Sequence, residues 1–294
     1  MKIPKKVIAF LLLALVSSSF AEIAVKEGEK IAFLGDSITL LGIRNQCGYV
    51  NLVMDGLARN GVKAVMIPAG FSGNKSNQML ARLQRDVISK KPQVMTLSCG
   101  VNDVLQGKNG VNLEDYRKNV AEIIRQAKAA GIRIYLMTPT MIGERADGKS
   151  NQKLSGYVNC LKELAKAENC GLIDTNAEMQ KEVIRLRKIY PDVKQSLLAV
   201  DAVHMNPLGN AVMAKAVLKG FGLTDEQIAK AEAGWGEKTI MVQFISIKLK
   251  HCFPILQLAN ERKCSFWHVV DHAIEQYFGK DKGNVPGIFN AERT

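Results

Sequence analysis

The chain has 294 residues, 47% of them hydrophobic, and a formal charge of +12. That length supports one large domain with a full core or a domain plus an appendage, and the six cysteines are too sparse for a disulfide scaffold. The basic balance suits solubility or attraction to anionic polysaccharide and lipid surfaces, and no nucleic-acid motif accompanies it.

Residues 1–21 read as a secretory signal, with Lys2, Lys5 and Lys6 at a charged start, an apolar run from Val7 to Val16, and small residues around Ala21. The run is too short to span a bilayer, which takes roughly 20 residues. The expectation is a secreted or periplasmic protein whose charge falls to +9 on cleavage, since three lysines leave and no acid does. Apolar stretches suited to buried parallel strands then alternate with amphipathic helices between residues 30 and 220. Strands are predicted at Lys30–Leu34, Ala64–Ile67, Val94–Ser98, Arg133–Met137 and Leu172–Asp174, and helices at Tyr49–Arg59, Ser76–Ser89, Leu113–Ala130 and Leu154–Glu168. Gly61 and Gly131 fall at helix stops. Cys99 reads as a buried thiol, and Cys160 with Cys170 as a candidate bridge from a helix to the next strand.

The stretch from Thr175 to Val200 is partly helical, with Lys181, Arg185, Arg187 and Lys188 on a solvated face. A helix from Pro207 to Lys219 follows. Beyond residue 223 the pattern changes to a capped helix over Thr224–Ala233, a break at Gly234-Trp235-Gly236, one alternating strand in MVQFISIKL, and helices near Pro254–Arg262 and Ser265–Phe278. This strand, helix, helix order weakly resembles a ribbon-helix-helix unit. Nine basic against nine acidic residues over 224–294 leave the tail neutral, which argues against nucleic acid and for packing or self-association.

Chemistry concentrates at strand ends. The first strand runs into Gly35-Asp36-Ser37, the second into FSGN, the third into GVND, and DAVH precedes the last helix of the α/β region. Ligands of an open α/β sheet bind beyond the carboxyl ends of its strands, so these segments can share one crevice. Ester hydrolysis needs a hydroxyl nucleophile, a base, a group that orients the base, and donors for the oxyanion. Ser37, His204 and Asp201 fill the first three roles, and the N–H groups of Ser37 and Gly73 with the Asn102 amide fill the last. Gly70 competes with Gly73 as donor.

In this order GDSIT, FSGN, GVND and DAVH resemble the four blocks of the SGNH (GDSL-type) hydrolase family over residues 30–220. The resemblance implies a flavodoxin-like three-layer α/β/α sandwich around a parallel sheet, catalytic Ser37, Asp201 and His204, an oxyanion hole of Ser37, Gly73 and Asn102, and no metal or cofactor. One departure is Pro68, where the second block often carries Asn; a changed local turn is expected there.

The organisation predicted is a signal at 1–21, a hydrolase domain at 22–223 and a small strand-helix-helix appendage at 224–294. The function predicted is an exported serine esterase on a small-molecule or polysaccharide ester, with carbohydrate O-deacetylation leading. Alternatives are a lysophospholipase or thioesterase on the same site, and a carbohydrate-binding scaffold without catalysis. His251, Cys252, Cys264, His268 and His272 match no common zinc spacing, Phe266, Trp267 and Phe278 read as core, and Arg44 reads as a solvated loop charge.

Overall fold

The computed structural model describes residues 23–189, 191, 196–236, 239–242, 245–248 and 252–261. The predicted signal and the helix expected at Ser265–Phe278 lie outside them. Five parallel strands, β1 (Lys30–Gly35), β2 (Val65–Gly70), β3 (Val94–Ser98), β4 (Arg133–Met137) and β5 (Gly171–Ile173), form one sheet in the order β2-β1-β3-β4-β5. This is the flavodoxin-like order, whose reversal between β1 and β3 opens a crevice at the carboxyl edge. Ile31, Ala32, Phe33 and Leu34 are fully buried, as are Val94, Met95 and Leu97, because helices cover both faces.

One helical layer holds α1 (Ser37–Arg44), α2 (Tyr49–Arg59), α7 (Thr175–Ile189), α8 (Pro207–Gly220) and α9 (Asp225–Trp235). The other holds α3 (Ser76–Asp86), α5 (Leu113–Ala129) and α6 (Lys149–Ala167), and a short α4 (Val101–Leu105) follows β3. The architecture is the predicted three-layer sandwich.

Several boundaries differ from expectation, each for a local reason. β2 continues through Pro68 to Gly70, pairing Phe33 with Pro68 and Gly35 with Gly70. As an edge strand it loses no ladder bond to the missing proline N–H, so Pro68 sits in the strand and reshapes no turn. The predicted helix at Ser76–Ser89 divides into α3 and a 3-10 turn at Ile88–Lys90. α6 begins at Lys149, a turn earlier than predicted, because its first residues are polar and carry no apolar rhythm. Arg44 lies in the last turn of α1, exposed, and not in a loop. Gly61 and Gly131 follow α2 and α5 at φ 84° and 74°, the left-handed geometry that ends helices.

The expected break at Gly234-Trp235-Gly236 is absent: α9 runs through Trp235, which is 1% exposed. The ring packs with Ile228 and Ala231 in the main core, and that burial carries the helix through a glycine that costs roughly 1 kcal/mol in a helix interior. The bare Gly234 backbone lets the Arg59 guanidinium of α2 lie against it, since a Cβ there would stand 2.0 Å from Arg59 Cζ and push that exposed side chain aside. Ile228, Ala231 and Trp235 belong to the main core, so the start of the predicted appendage is packed into the hydrolase sandwich. The alternating MVQFISIKL segment is not one strand; it contributes to antiparallel strands β6 (Thr239–Val242) and β7 (Ile245–Lys248), paired Thr239 to Lys248 and Val242 to Ile245. α10 (Cys252–Glu261) follows.

Cys160 and Cys170 are both free thiols, not the expected bridge. Cys160 points from α6 into the core, whereas the Cys170 Sγ contacts the Glu168 carbonyl at 3.6 Å. Cys99 is buried beside the Tyr116 hydroxyl, and burial pushes its thiol well up.

Candidate active site

Ser37 opens α1 immediately beyond β1. Asp36 is the N-cap, its carboxylate accepting from the Ile38 N–H at 2.9 Å. The Ser37 N–H therefore lies in the first helical turn, where helix geometry supplies no internal partner. Close packing demands glycine just before it, because a Cβ on Gly35 would lie 2.1 Å from Thr39 Oγ1. The nucleophile candidate is half-buried, on a turn fixed from both sides.

His204 Nε2 lies 2.9 Å from Ser37 Oγ, and its Nδ1 lies 2.7 Å from Asp201 Oδ2. With Nδ1–H donated to Asp201, Nε2 is left to accept from the serine hydroxyl. Asp201 Oδ1 also accepts from the Val203 and His204 N–H groups at 2.7 and 2.8 Å, so the short spacing from Asp201 to His204 makes a closed turn. Burial pulls the Asp201 carboxyl up, but the His204 N–H, the imidazole and the Val203 N–H outweigh it and hold the group below its ordinary value.

The other two segments meet at Asn102. Its Nδ2 donates to Asp36 Oδ2 at 3.3 Å and to the Asn74 carbonyl at 3.2 Å, which links neighbours of both Ser37 and Gly73. Gly73 adopts φ 74° with open space where a Cβ would stand, and its carbonyl is held by Gln106 Nε2 at 2.9 Å. Gly70, the rival donor, ends β2 with its Cβ position 2.4 Å from the Leu40 nitrogen; it serves strand-to-helix packing. All of the predicted site residues thus converge on the carboxyl edge at the β1/β3 switch point.

Four residues of this neighbourhood were not singled out from sequence for a role. Arg82, buried on α3, donates to the Gly35 and Ala69 carbonyls at 2.8 and 2.9 Å and to Asn74 Oδ1 at 2.7 Å. Asp103 is fully buried and accepts from the Ser76 N–H and hydroxyl at 3.0 and 2.6 Å, capping α3 from a neighbouring helix. Glu144 and Asp36 complete the set. Arg82 carried a readable signal, being a charge on the same helix stripe as the buried Met79 and beside the buried Leu83.

Burial drives the Asp36 pKa up to about 6, with the Ile38 N–H and His204 opposing and Asp103 reinforcing. The folded protein therefore holds this proton more tightly than the unfolded chain does. Its contribution to stability is complete below pH 3.8 and is lost as pH rises through about 6. Asp36→Asn removes that dependence, so its stability relative to wild type is expected to improve by about 2 kcal/mol between pH 4 and pH 7.5. Urea unfolding at both pH values measures this, and a difference that does not change with pH contradicts it.

Among the described residues no cluster of His, Cys, Asp and Glu is arranged to hold a metal. His251, Cys264, Phe266, Trp267, His268, His272 and Phe278 lie outside those residues.

A flavodoxin-like sheet carrying Ser, His and Asp in hydrogen-bonded series at its switch point defines the chain as a hydrolase of the three-layer α/β/α type. The sequence pattern of the GDSL-like Lipase/Acylhydrolase family matches residues 33–212, and the chain belongs to that family. It is 29% identical over 220 residues to an acetylxylan esterase of Geobacillus stearothermophilus, covering 67% of this chain and 96% of the relative. Esterase TesA of Pseudomonas aeruginosa is 31% identical over 110 residues, 37% of this chain and 53% of that protein. Among solved structures, the acetyl xylan esterase AlAXEase superposes with a TM-score of 0.58 at 31% identity, over 65% of this chain and 98% of its own. LAE5, an alpha/beta hydrolase enzyme from the metagenome of Lake Arreo, gives 0.60 at 25% identity, over 68% and 98%. The protein is accordingly a carboxylic ester hydrolase, and the scaffold reading without catalysis falls away.

Proposed function

We propose that the protein is an exported serine esterase that removes acetyl groups from carbohydrate through an acyl-enzyme. The observation that carries the chemistry is the unbroken series from Ser37 Oγ through the His204 ring to Asp201, at 2.9 and 2.7 Å. Ser37 Oγ attacks the ester carbonyl as its proton passes to His204 Nε2, and Asp201 steadies the imidazolium that forms. Negative charge on the carbonyl oxygen is met by the Ser37 and Gly73 N–H groups and by Asn102 Nδ2, which gives up its long 3.3 Å bond to Asp36 for the substrate; none of these donors needs a proton transfer of its own. His204 returns the proton to the departing alcohol, then draws one from a water that attacks the acyl carbon; as the bond to Ser37 Oγ breaks, His204 hands that proton to Oγ and acetate leaves.

A sugar substrate is supported by the acetylxylan esterases among the relatives and by the rim of the site. Phe71, two residues before Gly73, and Val200, next to Asp201, are 60% and 66% exposed. The Phe71 N–H donates to the Gly35 carbonyl at 3.0 Å, two residues before Ser37, and an exposed aromatic side chain on that segment offers a face for a sugar ring. Export rests on the Lys-rich start and apolar run of residues 1–21. Association through residues 224–294 would fall among the described residues to β6 and β7, since α9 is committed to the core and Ile255 of α10 packs against it.

The test is a panel of acetylated xylooligosaccharides, p-nitrophenyl acetate, p-nitrophenyl palmitate and lysophosphatidylcholine. Acetyl esters are expected to exceed the palmitoyl ester in kcat/KM by about 100-fold, because a small acyl pocket excludes a long chain. Faster release of fatty acid from lysophospholipid than of acetate from the oligosaccharides would replace this reading with the lysophospholipase one.

A further inference from the structure

We infer that Glu144 is a positioning residue that holds the His204 hairpin in register with Ser37, an assignment that rests on the Ser37–His204–Asp201 reading above. Asp201 and His204 sit at the tip of a hairpin whose limbs are tied by the Ala199–Met205 bridge and by the Val200 N–H donating to the His204 carbonyl at 2.9 Å. Its inner edge is anchored by Asn206, whose N–H donates to the Leu198 carbonyl at 3.0 Å and whose Nδ2 donates to that of Leu197 at 2.8 Å. Among the described residues no strand lies beside the N–H groups of Leu197 and Leu198. They are nonetheless buried, and buried N–H groups need acceptors.

Glu144 supplies them. Its carboxylate, 6% exposed, accepts from the Leu197 N–H at 2.7 Å on both oxygens and from the Leu198 N–H at 2.6 Å on Oε1. Arg187 on α7 approaches the same carboxylate at 3.2 Å, so this member of the predicted solvated basic face is turned inward as a partner. The neighbouring Gly143 donates its N–H to the Ala202 carbonyl at 2.6 Å, one residue from Asp201. Root and tip of the hairpin are therefore gripped by two consecutive residues.

That strap is itself pinned. Asn151 of α6 accepts from the Ile142 N–H and donates to the carbonyls of Ile142 and Arg145, at 2.9, 2.9 and 2.8 Å. Gly143 takes φ 66°, a left-handed turn that brings its N–H and the following carboxylate to the same loop. The arrangement braces α6, α7 and the hairpin against one another. Since an ångström of misplacement at a general base costs on the order of 100-fold in rate, the brace acts on turnover and not on substrate affinity.

The experiment compares Glu144→Ala and Glu144→Gln with wild type on p-nitrophenyl acetate, well below their unfolding temperatures. For Glu144→Ala, kcat is expected to fall about 30-fold with KM within about 3-fold, and phosphonylation of Ser37 by a fluorophosphonate to slow in parallel. Glu144→Gln keeps an amide oxygen where Oε1 receives both N–H groups, so it is expected to recover kcat to within about 5-fold of wild type. Should Glu144→Ala fail to fold, Asn151→Ala, which frees the strap and keeps the carboxylate, is expected to show the same split between kcat and KM. A folded Glu144→Ala or Asn151→Ala with wild-type kcat and phosphonylation overturns the assignment, as does Glu144→Gln matching the alanine variant. Wild-type turnover in Ser37→Ala would instead sink the underlying serine reading.

Discussion

Ser37→Ala is expected to lower kcat on acetyl esters by about five to six orders of magnitude while leaving Tm within about 1 °C of wild type. The asymmetry follows from where the hydroxyl sits. Ser37 is half-buried, its Oγ is engaged by His204, and the turn that carries it is held by Asp36 and by the packing around Gly35. Losing Oγ removes the bond-forming atom and little of the fold. Because Gly73, Asn102 and the Ser37 N–H survive, a residual rate above the uncatalysed reaction is expected from oxyanion stabilisation alone. Asp201→Asn is expected to cost about 10⁴-fold, since an amide in place of the carboxylate turns the imidazole to the wrong tautomer. Single-turnover release of p-nitrophenol, with thermal unfolding as the control, measures both; wild-type rates in the serine variant remove the mechanism.

How much of this could be read from sequence depended on how local the cause was. β3, β4 and α2 fall at the predicted boundaries because buried apolar runs and helix stops are written in neighbouring residues. The site residues were legible for a related reason: each lies next to a strand end or a helix start, and the sheet order does the rest. α1 was not singled out, because SITLLGIR continues the apolar run of β1 and only the Asp36 cap marks the change. The supports were harder still. Glu144 bonds to N–H groups more than 50 residues away, and Asp103 caps a helix from another segment. Such pairings leave no period or spacing to detect. Where burial overrode a local rule, as at Trp235, the sequence reading followed the glycines and the fold followed the indole.

Arg82 shows what such remote supports are worth. Its guanidinium is the common donor to the ends of β1 and β2 and to Asn74, whose own carbonyl takes the Asn102 amide. Burial lowers the Arg82 pKa, with Asp86 opposing the shift, so the charge is tolerated because its donors are used. Arg82→Met would leave the Gly35 carbonyl with the Phe71 N–H as its one donor among the described residues, and the buried Asn74 Oδ1 without its guanidinium donor. Breaking a buried charged network from one side costs about 3–5 kcal/mol, and for a domain of this size each kcal/mol moves Tm by about 2–4 °C. A drop of about 10 °C is therefore expected. Arg82→Lys is expected to fare little better, because a point charge cannot reach three acceptors arranged for a planar fork. Both variants are also expected to lose about 10-fold in kcat when assayed fully folded, since Gly35 precedes Asp36-Ser37 and Asn74 fixes Asn102. Calorimetry with turnover measured at low temperature separates the two effects, and an Arg82→Met protein with wild-type Tm would show that the network carries no weight in the fold.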